Sequence, residues 1–168
     1  MRYRSEGRPL FVAVVALLVA LSAPAAARTD QISGVATIAA PGQCDPIPDE
    51  YGDFPPLYLT GSLEGCWYTN ILTSKDNGSP SGVYQERGIE IFVGSLDGGP
   101  EGRFETTYKF SSKWEPDVST GVEVKGRCQH PIVVGTGIGA FAGVTGRVDI
   151  KDDVATGTYP YRGHLTIP

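Results

Sequence analysis

Apolar and polar residues alternate with a period of two through most of the chain beyond residue 57, and no stretch there sustains the spacing of an amphipathic helix. The alternating segments run over 57–68, 82–95, 103–114, 122–134, 144–152 and 158–167. In 103–114, Phe104, Thr106, Tyr108 and Phe110 share one face while Arg103, Glu105, Thr107 and Lys109 take the other, which predicts a half-buried strand. In 158–167, Tyr159, Tyr161, Gly163, Leu165 and Ile167 oppose Thr158, Arg162, His164 and Thr166. The segment 82–95 has no clean face: Val83, Gln85, Arg87, Ile89, Ile91 and Val93 oppose Tyr84, Glu86, Gly88, Glu90 and Phe92.

Turn-forming residues separate these segments, as in Asn77-Gly78-Ser79-Pro80 and Asp97-Gly98-Gly99-Pro100. Short connections force neighbouring strands to be antiparallel, and a run of such strands must close or stack to hide its edges. The expectation is therefore an all-β protein, an antiparallel β-barrel of about eight strands spanning 57–168. Ahead of it, 28–56 carries Pro41, Pro46, Pro48, Pro55 and Pro56, which predicts an extended N-terminal arm with at most one short strand at 35–38.

The first 27 residues have a different character. Arg2, Arg4 and Arg8 precede an apolar run over 10–21 and then Ala25-Ala26-Ala27, the order of a cleavable secretory signal. The run is shorter than the roughly 20 residues of a membrane span, and no cysteine follows it for lipid attachment, so release to the outside is expected, with no membrane partner after cleavage. Cleavage leaves 11 Lys+Arg against 18 Asp+Glu. An acidic chain without a basic cluster repels phosphate backbones, which argues against nucleic acid. A monomer or weak oligomer is expected.

Three cysteines enter an oxidising compartment, so one disulfide and one spare thiol are expected. Cys66–Cys128 is favoured because both lie in strand segments, with Cys44–Cys66 as the alternative.

The stretch Gly135-Thr136-Gly137, then Phe141-Ala142-Gly143-Val144-Thr145-Gly146, then a strand and Tyr159-Pro160-Tyr161-Arg162-Gly163-His164-Leu165, resembles the allene oxide cyclase and dirigent-type barrels. The resemblance extends over about residues 82–168 and takes in a set of exported bacterial proteins with a pattern like Gly126-Arg127-Cys128-Gln129-His130-Pro131. It implies an eight-stranded antiparallel barrel in which the hairpin's phenylalanine plugs one end. It assigns no catalytic residue, and a fold alone carries no activity.

Candidate chemistry lies in the ionisable residues of strand centres. Glu86 and Glu90 share parity, as do Arg162 and His164, and together with Glu105 and Arg127 they are the candidate lumen or ligand-binding residues. Buried charges persist only when paired, so these would form a lumen of charge pairs if they point inward. Gly135-Thr136-Gly137-Ile138-Gly139-Ala140 matches a dinucleotide fingerprint formally, but glycines and β-branched residues follow where a helix would have to open, so no cofactor is expected. Cys128 and His130 share parity without further clustered ligands, so no metal is expected either, and His130 before Pro131 reads as a strand end.

Three functions remain: a module binding a small, partly apolar molecule, which is preferred; a structural barrel with a filled interior; and a cofactor-free cyclase- or isomerase-like enzyme, with an enzyme less expected than a binder. An open apolar cavity separates the first and third from the second. Arg162→Met separates a charged lumen from a wet face: it would cost about 3–5 kcal/mol if Arg162 is buried with a carboxylate and about 0–1 kcal/mol if exposed.

Overall fold

The computed structural model describes residues 27–78 and 80–168; most of the predicted signal, and Ser79 of the turn at 77–80, lie outside the described residues. All regular structure among the described residues is β. The strands are β1 (Arg28–Ile38), β2 (Phe54–Gly61), β3 (Leu63–Asp76), β4 (Val83–Leu96), β5 (Glu101–Glu115), β6 (Val122–Pro131), β7 (Ile138–Gly139), β8 (Thr145–Asp152) and β9 (Tyr159–Ile167). Every pairing between them is antiparallel. β1 pairs β2 on one side and β9 on the other, and β4 pairs β5, so eight strands close into a ring; β7 is a short ribbon against β5.

The barrel begins at Arg28, not at Leu57. The expectation of an arm over 28–56 followed the prolines, but 28–38 has none, and Ile32 and Ala36 alternate inward to 3% and 0% exposure. Irregular chain is confined to 39–53, which folds over the outside of β3. There Cys44, Cys66, Tyr68 and Ile91 form a small core of their own, and the Tyr68 hydroxyl donates to the Cys44 carbonyl at 3.1 Å.

The disulfide joins Cys44 to Cys66, which corrects the preferred pairing of Cys66 with Cys128. The reason is parity. Cys66 leaves β3 on the outer face beside Tyr68, whereas Cys128 leaves β6 toward the lumen, so the barrel wall stands between them.

One half of the barrel is filled. Trp67, Phe92, Phe104 and Phe141 pack there, with Phe141 edge-on to Phe104 and Phe92 at centroid distances of 5.0 and 5.7 Å. Phe141 comes from the glycine-rich hairpin between β6 and β8 and is fully buried, plugging this end as the pattern of that hairpin implied. Tyr161 crosses the interior. Its hydroxyl accepts the Leu63 N–H at 2.8 Å and donates toward the Leu63 and Thr60 carbonyls at 3.1 and 3.2 Å. Gly34 makes room for it, because a Cβ there would strike the Tyr161 ring and the Thr60 carbonyl.

Removing the plug leaves a cavity that closed-barrel walls cannot collapse around. Phe141→Ala is expected to lower stability by about 3–5 kcal/mol, read as a shift in the urea midpoint with an unchanged slope.

Candidate functional site

The other half of the barrel is open. Inward residues of β2 to β6, β8 and β9 surround a cavity of about 380 Å³, whose mouth lies at the β3–β4, β5–β6 and β8–β9 turns. Its walls are largely apolar: Phe54, Leu57, Phe110, Trp114, Ile150 and Tyr159. Alternation along each strand puts these side chains inside, and the filled half beneath them sets the floor.

The floor carries a buried ion pair. His130 Nε2 lies 2.9 Å from Glu90 Oε2, with 2% and 8% of the two side chains exposed. Glu90 Oε1 accepts the Thr69 hydroxyl at 2.9 Å, and His130 Nδ1 lies 3.1 Å from the Val148 carbonyl. A carbonyl only accepts, so Nδ1 carries the proton of that contact and Nε2 is the atom that faces the carboxyl. Trp67 meets the imidazole edge-on at 5.1 Å and holds the ring in place.

Nearer the mouth on β4, Glu86 accepts two hydroxyls at 2.6 Å, from Tyr84 and from Tyr108. Burial, and then the hydrogen bond to Glu86, drive the Tyr108 phenol far above its ordinary range, so it keeps its proton and donates it to Glu86. Cys128 also lines the cavity. Burial, followed by the charges of Glu90, Asp152 and Glu86, raises its thiol well above the reactive range, so it is a small apolar wall group and not a nucleophile.

At the rim, Glu123 of β6 and Asp152 of β8 face each other over Gly126, where a Cβ would strike both carboxyls. Burial, and then the proximity of Asp152, push the Glu123 carboxyl up to about 7. Asp152 is raised as well, chiefly by burial. Glu123 reaches the lumen through a bulge: the β5–β6 register slips between Lys113–Lys125 and Trp114–Glu123, leaving Val124 unpaired and exposed.

Of the residues expected in the lumen, Glu86 and Glu90 are there. Arg127, Arg162 and His164 are not; all three are exposed on the outer face. Arg162 and His164 alternate with buried Tyr161 and Leu165, and Arg127 sits between buried Gly126 and Cys128, so their parity points them to solvent. Glu105 likewise takes the outer face of β5 and is half-buried. His130 stands at the end of β6, as expected of a residue before Pro131, and its side chain lines the lumen, a role it was not given from the sequence. Its signal was present in its shared parity with Cys128. Asp152 was signalled too, in phase with buried Val148 and Ile150, whereas Glu123 was not, because the bulge breaks the alternation that would have revealed it.

Comparison with protein-family models, with curated proteins and with solved structures returned no match.

Stability should divide along the barrel wall. His130→Leu strands a buried carboxylate and is expected to cost about 3–5 kcal/mol, whereas Arg162→Met, outside, should cost under about 1 kcal/mol; thermal unfolding of the two variants measures both. The rim pair sets a pH dependence. Between the ordinary carboxyl value of 4.5 and about 7, the folded chain holds a proton on Glu123 that the unfolded chain has released. Stability therefore falls as pH rises through that window, and Glu123→Gln should flatten the slope in denaturant titrations across it.

Proposed function

We propose that the chain is an exported barrel that binds a small, partly apolar molecule in its open mouth. The observation that carries this is the cavity itself, about 380 Å³ with apolar walls and a few polar groups at fixed positions. Ligand sites in small barrels have this composition. A wholly filled structural barrel would have continued the packing of Trp67, Phe92, Phe104 and Phe141 through both halves. The barrel is read as kin to the allene oxide cyclase and dirigent-type barrels, on the strength of the hairpin that delivers Phe141.

Export is supported by two features. The Cys44–Cys66 bridge fits an oxidising compartment, and β1 begins at Arg28, immediately after the expected cleavage point at Ala27. Mass spectrometry of the protein from culture supernatant should give Arg28 as its first residue.

A cyclase- or isomerase-like enzyme is the second reading. It is favoured by the Glu90–His130 pair on the cavity floor, a carboxyl and an imidazole 2.9 Å apart. The two readings part on whether a bound molecule is recovered unchanged or rearranged.

Binding is tested by a thermal-shift screen of small molecules against the mature protein and against Ile150→Trp, which fills the mouth. A ligand at about 100 times its Kd adds about 2.7 kcal/mol to stability. The expected result is stabilisation of the natural sequence and none of the variant; a screen in which no compound stabilises either protein overturns the proposal.

A further inference from the structure

The charge inside the mouth selects among small molecules. The cavity is lined by the carboxyls of Glu86, Glu90, Glu123, Asp152 and Asp153 and by no Lys or Arg among the described residues. Two of the five are internally accounted for. Glu90 is paired with the His130 imidazole at 2.9 Å, and Asp153 is turned to its own loop, accepting the Ala155 and Thr156 N–H groups. Glu86 accepts two tyrosine hydroxyls, which bring no positive charge, and no Lys or Arg lines the cavity beside it.

The rim carboxyls of Glu123 and Asp152 face each other and hydrogen-bond to each other, and no N–H of the protein reaches Glu123 Oε1. Two carboxyls this close favour a group of opposite charge beside them. The same strands do carry cations. Arg87, Lys109, Arg127 and Lys151 are all exposed on their outer faces, one residue out of phase with the lumen. The segregation leaves an aromatic cavity lined by carboxyls, with the lysines and arginines of the same strands outside it.

A metal ion does not answer this. Among the described residues no three carboxyl, imidazole or thiol groups converge closely enough to hold one, so Glu86 and the rim pair act at separate points. What answers it is one positive, hydrogen-donating group joined to an apolar body. The body would lie against Phe110, Ile150 and Tyr159. The charged head would sit between the rim carboxyls and the faces of Trp114 and Tyr84, where aromatic rings also favour a cation.

We propose that the molecule taken by this mouth is an amphipathic amine, bound as its ammonium form with N–H donated to Glu123 and Asp152. The proposal rests on the reading of the cavity as a small-molecule site. It adds the sign of the ligand's charge and the place of its head group.

Three probes of matched size test it: 4-phenylbutylamine, 4-phenylbutanol and 4-phenylbutyrate, titrated at pH 7 with tryptophan fluorescence and calorimetry. The amine is expected to bind at least about tenfold tighter than the alcohol, with the carboxylate weaker still, since a desolvated charge pair contributes more than a neutral contact. In Glu123→Gln/Asp152→Asn the advantage of amine over alcohol should vanish while alcohol binding persists, which a mere loss of folding would not produce. The unliganded melting temperature of the variant provides the check on folding.

Equal or tighter binding of the alcohol or the carboxylate overturns the amine class and leaves a small-molecule site standing. So does an amine preference that survives in the double variant, because the head group would then lie elsewhere. If none of the three binds but the compound screen finds other ligands, the class is again wrong and the site stands; if the screen too is empty, the site falls, and this proposal with it.

Discussion

Closure is the constraint on which everything else in this molecule depends. A meandering antiparallel sheet has two bare edges, and here the first strand covers both by pairing β9 along most of its length and β2 along its second half. With the ring shut, each strand has an inside and an outside, and a single residue's phase decides whether a side chain meets water or protein. The cross-barrel Tyr161 belongs to the same device. It ties the interior of β9 to the backbone where β2 turns into β3, and so keeps β1 clamped between them.

The closed ring divides lengthwise into two environments. At one end the interior is aromatic and dry, with Phe141 brought in by a loop after the strands themselves run out of bulk. At the other end shorter or polar side chains leave space, and the polar groups that face it are arranged by depth. Deepest is an acid–imidazole pair, above it a carboxyl that accepts two phenols, and at the rim two carboxyls facing each other. Burying the deepest pair is tolerable because Thr69 and the Val148 carbonyl take up the hydrogen-bonding capacity that the pair does not use on itself.

Much of this was legible in the residues, and each failure has a physical cause of its own. Period-two alternation with glycine-rich breaks was enough for an antiparallel barrel, and the hairpin around Phe141 was enough to locate its plug. Parity also contained the right answer for Arg162 and His164, which alternate with Tyr161 and Leu165; weighing charges as pairs obscured what alternation said. Proline-rich 39–56 drew attention away from Ile32 and Ala36, whose neighbours Gly34 and Ser33 are too small to look like a core strand. Glu123 was beyond reach, since a bulge resets phase without any residue that announces it. The disulfide needed the knowledge that Cys66 and Cys128 face opposite sides of one wall, which only the closed ring supplies.

The loop over 39–53 lies wholly outside the barrel, yet it runs directly into β2, whose first residue, Phe54, is part of the lining of the mouth. The Cys44–Cys66 bond is therefore a hasp fastened on the exterior that fixes a doorpost of the interior. In a reducing compartment the hasp is undone and the loop keeps its non-covalent hold: Ala39 and Tyr51 pack with Tyr58, Tyr68 and Ile91, and Asp53 hydrogen-bonds to Thr69 and Ile71 of β3. Oxidation thus adds a covalent tie, on the outside, to a wall whose inner side lines the mouth.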